Sequence, residues 1–143
     1  MRPFPHLAAS IGISGCVYAA SSSISLAAIQ ACCGILIDID HVLEYIIRNK
    51  TKLSFKEFYT APAHIVYKRV FFFFHSYELS LLAGMIIGYL YAPSNGAMVF
   101  LGLFQHLLFD QWKNPAKPLS YFIIWRLYNG FKTDIVFTKH PRR

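Results

Sequence analysis

Two long apolar stretches dominate the pattern of hydrophobic and polar positions along the chain. Residues 7–37 and residues 79–105 contain no Asp, Glu, Lys, Arg or His. Each stretch is longer than the roughly 20 apolar residues that cross a lipid bilayer. A segment in lipid must satisfy its own backbone hydrogen bonds, which favours helices. The pattern therefore predicts helices embedded in a membrane.

Turn residues divide each apolar stretch into a helical hairpin. Residues 21–23 are serines, which compete for backbone hydrogen bonds and cap helices. Residues 92–96 contain Pro, Asn and Gly, which are strong turn formers. These breaks predict four short helices, at about residues 4–20, 24–48, 76–91 and 95–112.

A third apolar segment, residues 119–131, is rich in Tyr, Phe and Trp, which favour the lipid headgroup level. It predicts an interfacial or short spanning helix at the C-terminal side. The expected fold class is all-α. We expect a single domain over residues 1–143, formed by an integral membrane bundle of two hairpins and this aromatic helix.

Composition and charge support a membrane protein. The chain is 55% hydrophobic and only 15% charged, whereas soluble domains carry about a quarter charged residues. The net charge is +7, but the basic residues lie between and after the apolar stretches, as loops that set membrane orientation do. We therefore expect membrane lipids as partners and no nucleic acid. The positive-inside rule predicts a multi-pass protein of the inner (cytoplasmic) membrane, with the neutral turns outside.

Under this topology, side chains of the metal-ligand type all fall at the cytoplasmic ends of four helices. His106 and Asp110 share one helix face at a spacing of four residues, and Asp38 and His41 share one at a spacing of three. Asp40 points about 200° away from Asp38 if the helix is regular, so it binds a second ion, orients a histidine or lies at a frayed helix end. The groups that fall at this level, and that are candidate metal ligands or catalytic groups, are His6, Asp38, Asp40, His41, His75, Glu78, His106 and Asp110.

Simpler interpretations exist for several of these residues. His6 lies near the terminus, where a histidine is commonly uncommitted, and Glu78 is also explained as a first-turn acid favoured by the helix dipole. Glu44 and Arg48, four residues apart, predict a surface ion pair. Ionisable residues at membrane depth are nevertheless costly and usually paired or functional, which favours a shared metal site.

The residues in this order resemble a known family. Asp38-Ile39-Asp40-His41 after an apolar helix, His75-Ser76 before the next helix, and His106-x3-Asp110 near the end of another resemble the YdjM-type membrane-bound metal-dependent hydrolases. The early His6-Leu7 pair belongs to the same likeness, which covers roughly residues 4–112. The family usually has Leu-Pro before the first Asp, whereas this chain has Leu36-Ile37. Its longer His-Arg-Gly-x-Thr-His-Ser run is reduced here to His75-Ser76.

The expected function is metal-assisted hydrolysis at the cytoplasmic face. The resemblance implies that seven residues form the site as metal ligands: His6, Asp38, Asp40, His41, His75, His106 and Asp110. We expect one or two divalent ions, zinc first and manganese or iron as alternatives. Asp38, Asp40 or Glu78 is the candidate general base, and Lys113 or Arg126 is a candidate phosphate ligand. A polar metal site at the membrane surface suits a phosphoester or ester of a lipid or lipid-linked substrate. The rival hypotheses are a non-catalytic, metal-binding membrane interaction protein and a metal or proton transporter.

Overall fold

The computed structural model describes residues 3–49, 69, 71–114 and 116–137. No β-strand occurs within these ranges, so the described part of the chain confirms the all-α prediction. Its helices are α1 (Pro3–Ser21), α2 (Ile24–Leu36), α3 (Ile39–Asn49), α4 (Tyr77–Leu90), α5 (Pro93–Lys113), α6 (Ile123–Tyr128) and α7 (Thr133–Val136).

Helix starts follow from local capping chemistry. The side chain of Ser23 accepts a hydrogen bond from the Leu26 N–H at the start of α2, at 3.3 Å. Ser76 does the same for the Leu79 N–H at the start of α4. Pro93 is the first residue of α5, where its missing N–H costs nothing because that position has no helical partner. Both hairpin turns therefore lie where their turn residues predict them.

The predicted helix at 24–48 is interrupted. α2 ends at Leu36 and α3 begins at Ile39, with Asp38 directly before α3. Asp is among the residues that helices prefer at this flanking position, and the backbone N–H of His41 donates to the Asp38 carbonyl at 3.1 Å. Ile37, between the two helices, keeps helical dihedral angles. Asp38 and Asp40 both reach the ring of His75, Asp38 at Nε2 and Asp40 at Nδ1.

Small residues set the packing of the bundle. α5 packs against both α2 and α4, and α1 packs against α2. A Cβ atom on Gly96 would meet the Gly84 carbonyl oxygen and would lie 2.6 Å from the Cα atom of Gly88. A Cβ atom on Gly102 would lie 2.5 Å from the Gln30 carbonyl oxygen. Such close backbone approaches through small residues are typical of helix pairs in membranes.

The described residues bury many polar side chains and expose many large apolar ones, although an apolar core that includes Ile37, Phe72 and Leu107 is also buried. Large apolar side chains of α4 are exposed, among them Leu82, Met85 and Leu90. The side chains with less than 2% exposure are Arg126, Leu107, His75, His106, Gln30, Val136, Asp110, Ser10, Ser76, Ser80 and Ser120. Only Leu107 and Val136 in that set are apolar. Soluble domains show the reverse preference.

One helical segment of the described chain, Ile24–Glu44, is long and apolar enough to cross a membrane. It has 21 residues and includes the break at Asp38, while the apolar helix Tyr77–Leu90 is shorter. The predicted aromatic helix at 119–131 is reduced to α6, with six residues. At 1.5 Å per residue α6 is about 9 Å long, so it is too short to span a bilayer core of about 30 Å.

Candidate metal centre

Five parts of the fold bring the predicted ligands to one end of the bundle. His6 lies in the first turn of α1, and Asp38 precedes α3, which carries Asp40 and His41. His75 lies in the loop before α4. His106 and Asp110 lie near the C-terminal end of α5. The structure therefore places all seven predicted ligands, from His6 to Asp110, within a single cluster.

His75 is completely buried and lies at the centre of the cluster. Its Nδ1 atom is 2.9 Å from Oδ1 of Asp40, which fixes the orientation of the ring. Its Nε2 atom is 3.4 Å from Oδ1 of Asp38 and 3.5 Å from Oδ2 of Asp110. A carboxylate on one ring nitrogen and a free second nitrogen is the arrangement that prepares a histidine to bind a metal ion.

His106 is prepared in the same way by a backbone carbonyl. Its Nδ1 atom lies 2.8 Å from the carbonyl oxygen of Gly34. A carbonyl only accepts hydrogen bonds, so Nδ1 carries the proton and Nε2 is the ligand atom in the neutral ring. Nε2 lies 3.4 Å from Oδ1 of Asp38 and 3.6 Å from Oδ2 of Asp110. His75 and His106 thus direct their Nε2 atoms at the same two carboxylates.

His6 and His41 complete the cluster, each next to a different carboxylate. Nε2 of His6 is 3.2 Å from Oδ1 of Asp110, and its ring stacks on His106 with the centroids 4.2 Å apart. Nε2 of His41 is 3.7 Å from Oδ1 of Asp38, and its ring packs edge-on against Phe72. Each histidine therefore adds one ligand atom to one side of the cluster.

The separations between ligand atoms fit a metal ion better than hydrogen bonds. Most of the contacts between Nε2 atoms and carboxylate oxygens are 3.4 Å or longer, beyond good hydrogen-bond geometry. Four ligand atoms at 2.0–2.1 Å from a tetrahedral zinc ion lie about 3.3–3.4 Å from one another. Nε2 of His75 and of His106, Oδ1 of Asp38 and both oxygens of Asp110 are buried without a hydrogen-bond partner among the described residues.

Two subsets of these residues are able to hold a metal ion. In each subset the ligand atoms lie within 4.8 Å of one another. One subset is His6, His106 and Asp110, and the other is Asp38, His41 and His75. A divalent ion would offset the cost of burying these carboxylates.

The electrostatics of His75 follow from its two carboxylate neighbours. Burial alone would lower the pKa of this imidazole, but Asp38 and Asp40 outweigh it and raise the pKa from 6.5 to about 9. Without an ion, the imidazole therefore holds a proton at neutral pH. A metal ion must displace that proton, because only the neutral ring has a lone pair for coordination.

The cluster reaches solvent on one side. The side chain of Asp38 is 31% exposed, whereas those of His75, His106 and Asp110 are fully buried. Ile39 directly after Asp38 and Leu36 two positions before it are exposed apolar residues, whereas Ile37 between Leu36 and Asp38 is buried. Among the described residues the cluster is therefore most open to solvent at Asp38, while the side chain of His41 is 16% exposed, and exposed apolar residues lie next to this opening along the chain.

The candidate general bases Asp40 and Glu78 have different contacts and therefore different roles. Asp40 is 6% exposed and accepts hydrogen bonds from the Phe74 N–H as well as contacting His75, so it orients a histidine. The carboxylate of Glu78 accepts from Ser76 Oγ at 2.7 Å and from the Ile123 N–H at 3.0 Å. Glu78 thus holds the start of α6 and belongs to neither ligand subset.

Two buried charged residues near the site have roles that the sequence did not predict. Glu44 is 7% exposed and accepts the Phe71 N–H, so the prediction of a surface residue is wrong; the side chain of Arg48 lies outside the described residues. Arg126 is 1% exposed and donates to the carbonyl oxygens of Phe72 and His75. Its isolated charge within the apolar segment 119–131 was the available signal, since such residues are rarely without a function.

The chain matches no family model, no curated protein and no solved structure. The resemblance to the YdjM-type hydrolases therefore stays a prediction, and the geometry of the cluster is the basis for any functional assignment.

Proposed function

We propose that the protein is a membrane-bound, metal-dependent hydrolase that acts on a phosphoester or ester of a lipid or lipid-linked substrate. One observation carries this proposal: buried imidazole and carboxylate atoms from distant parts of the chain converge at the separations of metal ligands, without hydrogen-bond partners among the described residues. The centre would bind one or two divalent ions, zinc first among them, through His6, His106 and Asp110 and through Asp38, His41 and His75.

The opening at Asp38 supports catalysis over a structural metal. Structural zinc sites are closed by four protein ligands, whereas catalytic sites keep a position for water or substrate. Asp38 connects the buried ligands to solvent, so an ion bound there would have access to water. The ion would acidify a bound water molecule and polarise a phosphoryl or acyl oxygen. Asp38 is the partly exposed carboxylate at this position and is therefore the best candidate for the general base.

The exposed apolar surface supports a membrane location and an amphiphilic substrate. Ile24–Glu44 is the candidate span, and the outer faces of the neighbouring helices are apolar as well. We infer a multi-pass arrangement in the inner membrane, with both hairpins embedded and the metal centre at the cytoplasmic face. A lipid would place its polar head at the metal ions and its chains along the exposed apolar side chains of Leu36 and Ile39.

Elemental analysis of the detergent-purified protein tests the metal, and hydrolysis of p-nitrophenyl phosphate and of phospholipids tests the activity. We expect stoichiometric metal and turnover that a chelator abolishes. Asp110→Ala should remove both, and Asp134→Ala is the matched control, since Asp134 is an exposed carboxylate on α7. Wild-type protein without metal, or full activity in both His106→Ala and Asp110→Ala, would refute the proposal. Metal binding without turnover of any ester would favour a non-catalytic metal protein.

A further inference from the structure

Arg126 is a buried cation whose partners are backbone carbonyls. It is 1% exposed, and one guanidinium donates to the carbonyl oxygen of Phe72 at 2.5 Å and to that of His75 at 2.7 Å. No ion pair joins it to a carboxylate within the described part of the chain. Burying a charge is expensive. Burial lowers the pKa of the guanidinium, although the carboxylates of Asp40, Glu78 and Glu44 favour its charged form. A stabilising role elsewhere must offset that cost.

The segment that Arg126 holds is the one that delivers His75. Residues 71–76 form neither helix nor strand, so regular hydrogen bonding does not fix their path. This segment supplies the His75 ring to Asp40 and the Phe74 N–H to the same carboxylate. Its position therefore depends on contacts from outside, and Arg126 supplies two of them.

Arg126 is itself anchored to the bundle. Glu78 on α4 accepts the N–H groups of Ile123 and Ile124 at the start of α6, the helix that carries Arg126. The Tyr77 N–H donates to the Tyr121 carbonyl at 3.0 Å. The guanidinium therefore projects from a helix whose place is set against α4.

The chemistry of the contact requires arginine. A guanidinium presents several N–H donors in a rigid plane, so a single side chain is able to hold two carbonyls in a fixed relation. A lysine ammonium is a compact, flexible donor and cannot reproduce that fork. The carbonyls of Phe72 and His75 are three residues apart, so the fork also fixes the curvature of the loop between them.

We propose that Arg126 is a positioning residue of the metal centre, which holds the loop at residues 71–76 so that Nε2 of His75 faces Asp38 and Asp110. This inference rests on the proposed function, because it requires His75 to bind an ion. Metal ligands tolerate displacements of about 0.2 Å, and interactions that orient a ligand typically change metal affinity 10–100-fold. Loss of the fork should therefore release His75 from the ion without removing any ligand.

The test compares Co²⁺ binding to wild type, Arg126→Met, Arg126→Lys and His75→Ala. The visible spectrum of Co²⁺ reports the number and geometry of its ligands, which a general loss of stability does not imitate. Lys117→Met is the matched control, because Lys117 also donates to a carbonyl of the C-terminal segment, that of Asp134 at 2.9 Å. Helix content from circular dichroism identifies variants that fold.

We expect folded Arg126→Met to bind Co²⁺ 10–100-fold more weakly, with the spectrum of His75→Ala, and Lys117→Met to match wild type. Arg126→Lys should show a smaller loss in the same direction. A folded Arg126 variant with wild-type affinity and spectrum would overturn the inference. If both Arg126 variants lose their helix content, Arg126 supports the whole fold and the specific role is also refuted. Wild-type protein that binds no metal would instead refute the proposed function.

Discussion

The substitution Gly34→Ala tests whether the close approach of α2 and α5 builds the metal centre. A Cβ atom on Gly34 would lie 2.5 Å from Nε2 of Gln105, 2.6 Å from Oγ of Ser10 and 3.2 Å from the carbonyl oxygen of Gly102. The Gln105 and Ser10 atoms are already hydrogen bonded to each other at 2.6 Å, so neither moves away freely. The added methyl group must therefore displace α2 or break that pair.

The size of the displacement predicts a loss of metal binding. Ordinary contact begins at 3.4 Å, so the atoms 2.5 Å from the new Cβ must separate by about 0.9 Å. That is several times the tolerance of about 0.2 Å for metal ligands. The Gly34 carbonyl also accepts from Nδ1 of His106, so the shift disturbs this ligand directly. We expect a stability loss of about 1–3 kcal/mol and a 10–100-fold weaker affinity for zinc.

Gly12→Ala is the matched control, because a Cβ atom on Gly12 meets nothing within 4 Å. Both substitutions gain up to about 1 kcal/mol of helix propensity, so the difference between them isolates the steric effect. Thermal unfolding in detergent measures stability, and competition with a chelating dye measures the zinc Kd. Equal Tm and equal Kd for the two variants would refute the view that this glycine contact positions His106.

Three further outcomes are expected. Asp40→Ala should weaken zinc binding 10–100-fold. Asp40→Asn should lose less zinc affinity, because it keeps an oxygen acceptor for Nδ1 of His75. Equal zinc Kd values for both variants and wild type in dye competition would contradict this. Because the pKa of His75 is raised to about 9, zinc binding should release a proton at pH 7.5, which calorimetry in buffers of different ionisation enthalpy measures. In ion-free protein, the stability that this proton contributes should be complete below pH 6.5 and lost as pH rises through about 9. A flat profile of Tm against pH in chelator would contradict this. Gln30 is fully buried with both amide atoms unpaired among the described residues, so Gln30→Met should raise stability by about 1–3 kcal/mol in thermal unfolding; a lower Tm would mean that the amide has a polar partner.

The helices themselves were predictable from the sequence because their signals are local. The serines at 21–23 and the Pro, Asn and Gly at 92–96 place both hairpin turns. The helices predicted at about 4–20, 76–91 and 95–112 begin and end within a few residues of those bounds, whereas the helix predicted at 24–48 is divided in two. Capping by Ser23 and Ser76 involves residues only three positions apart. The membrane interpretation has the same local origin, since it depends on the length and polarity of single stretches.

The contacts within the cluster depend on tertiary structure. Asp40 lies against His75, 35 residues away in the chain, because the loop before α4 folds back onto α3, a contact that apolar periodicity does not reveal. His106 obtains its partner from the Gly34 carbonyl, 72 residues away, because glycines let two helices approach. Backbone acceptors leave no trace in a pattern of side-chain types.

Burial of charge is the clearest difference between what the sequence indicates and what the tertiary structure determines. The spacing of Glu44 and Arg48 is typical of a solvated helix pair, yet the fold buries Glu44 against the Phe71 N–H. Arg126 lies among aromatic residues that indicate a membrane interface, yet it reaches inward to the loop that carries His75. Residue types and spacings show which groups are costly to bury, but only the packing of distant segments selects the partner that satisfies each group, because that partner is chosen by distance in space.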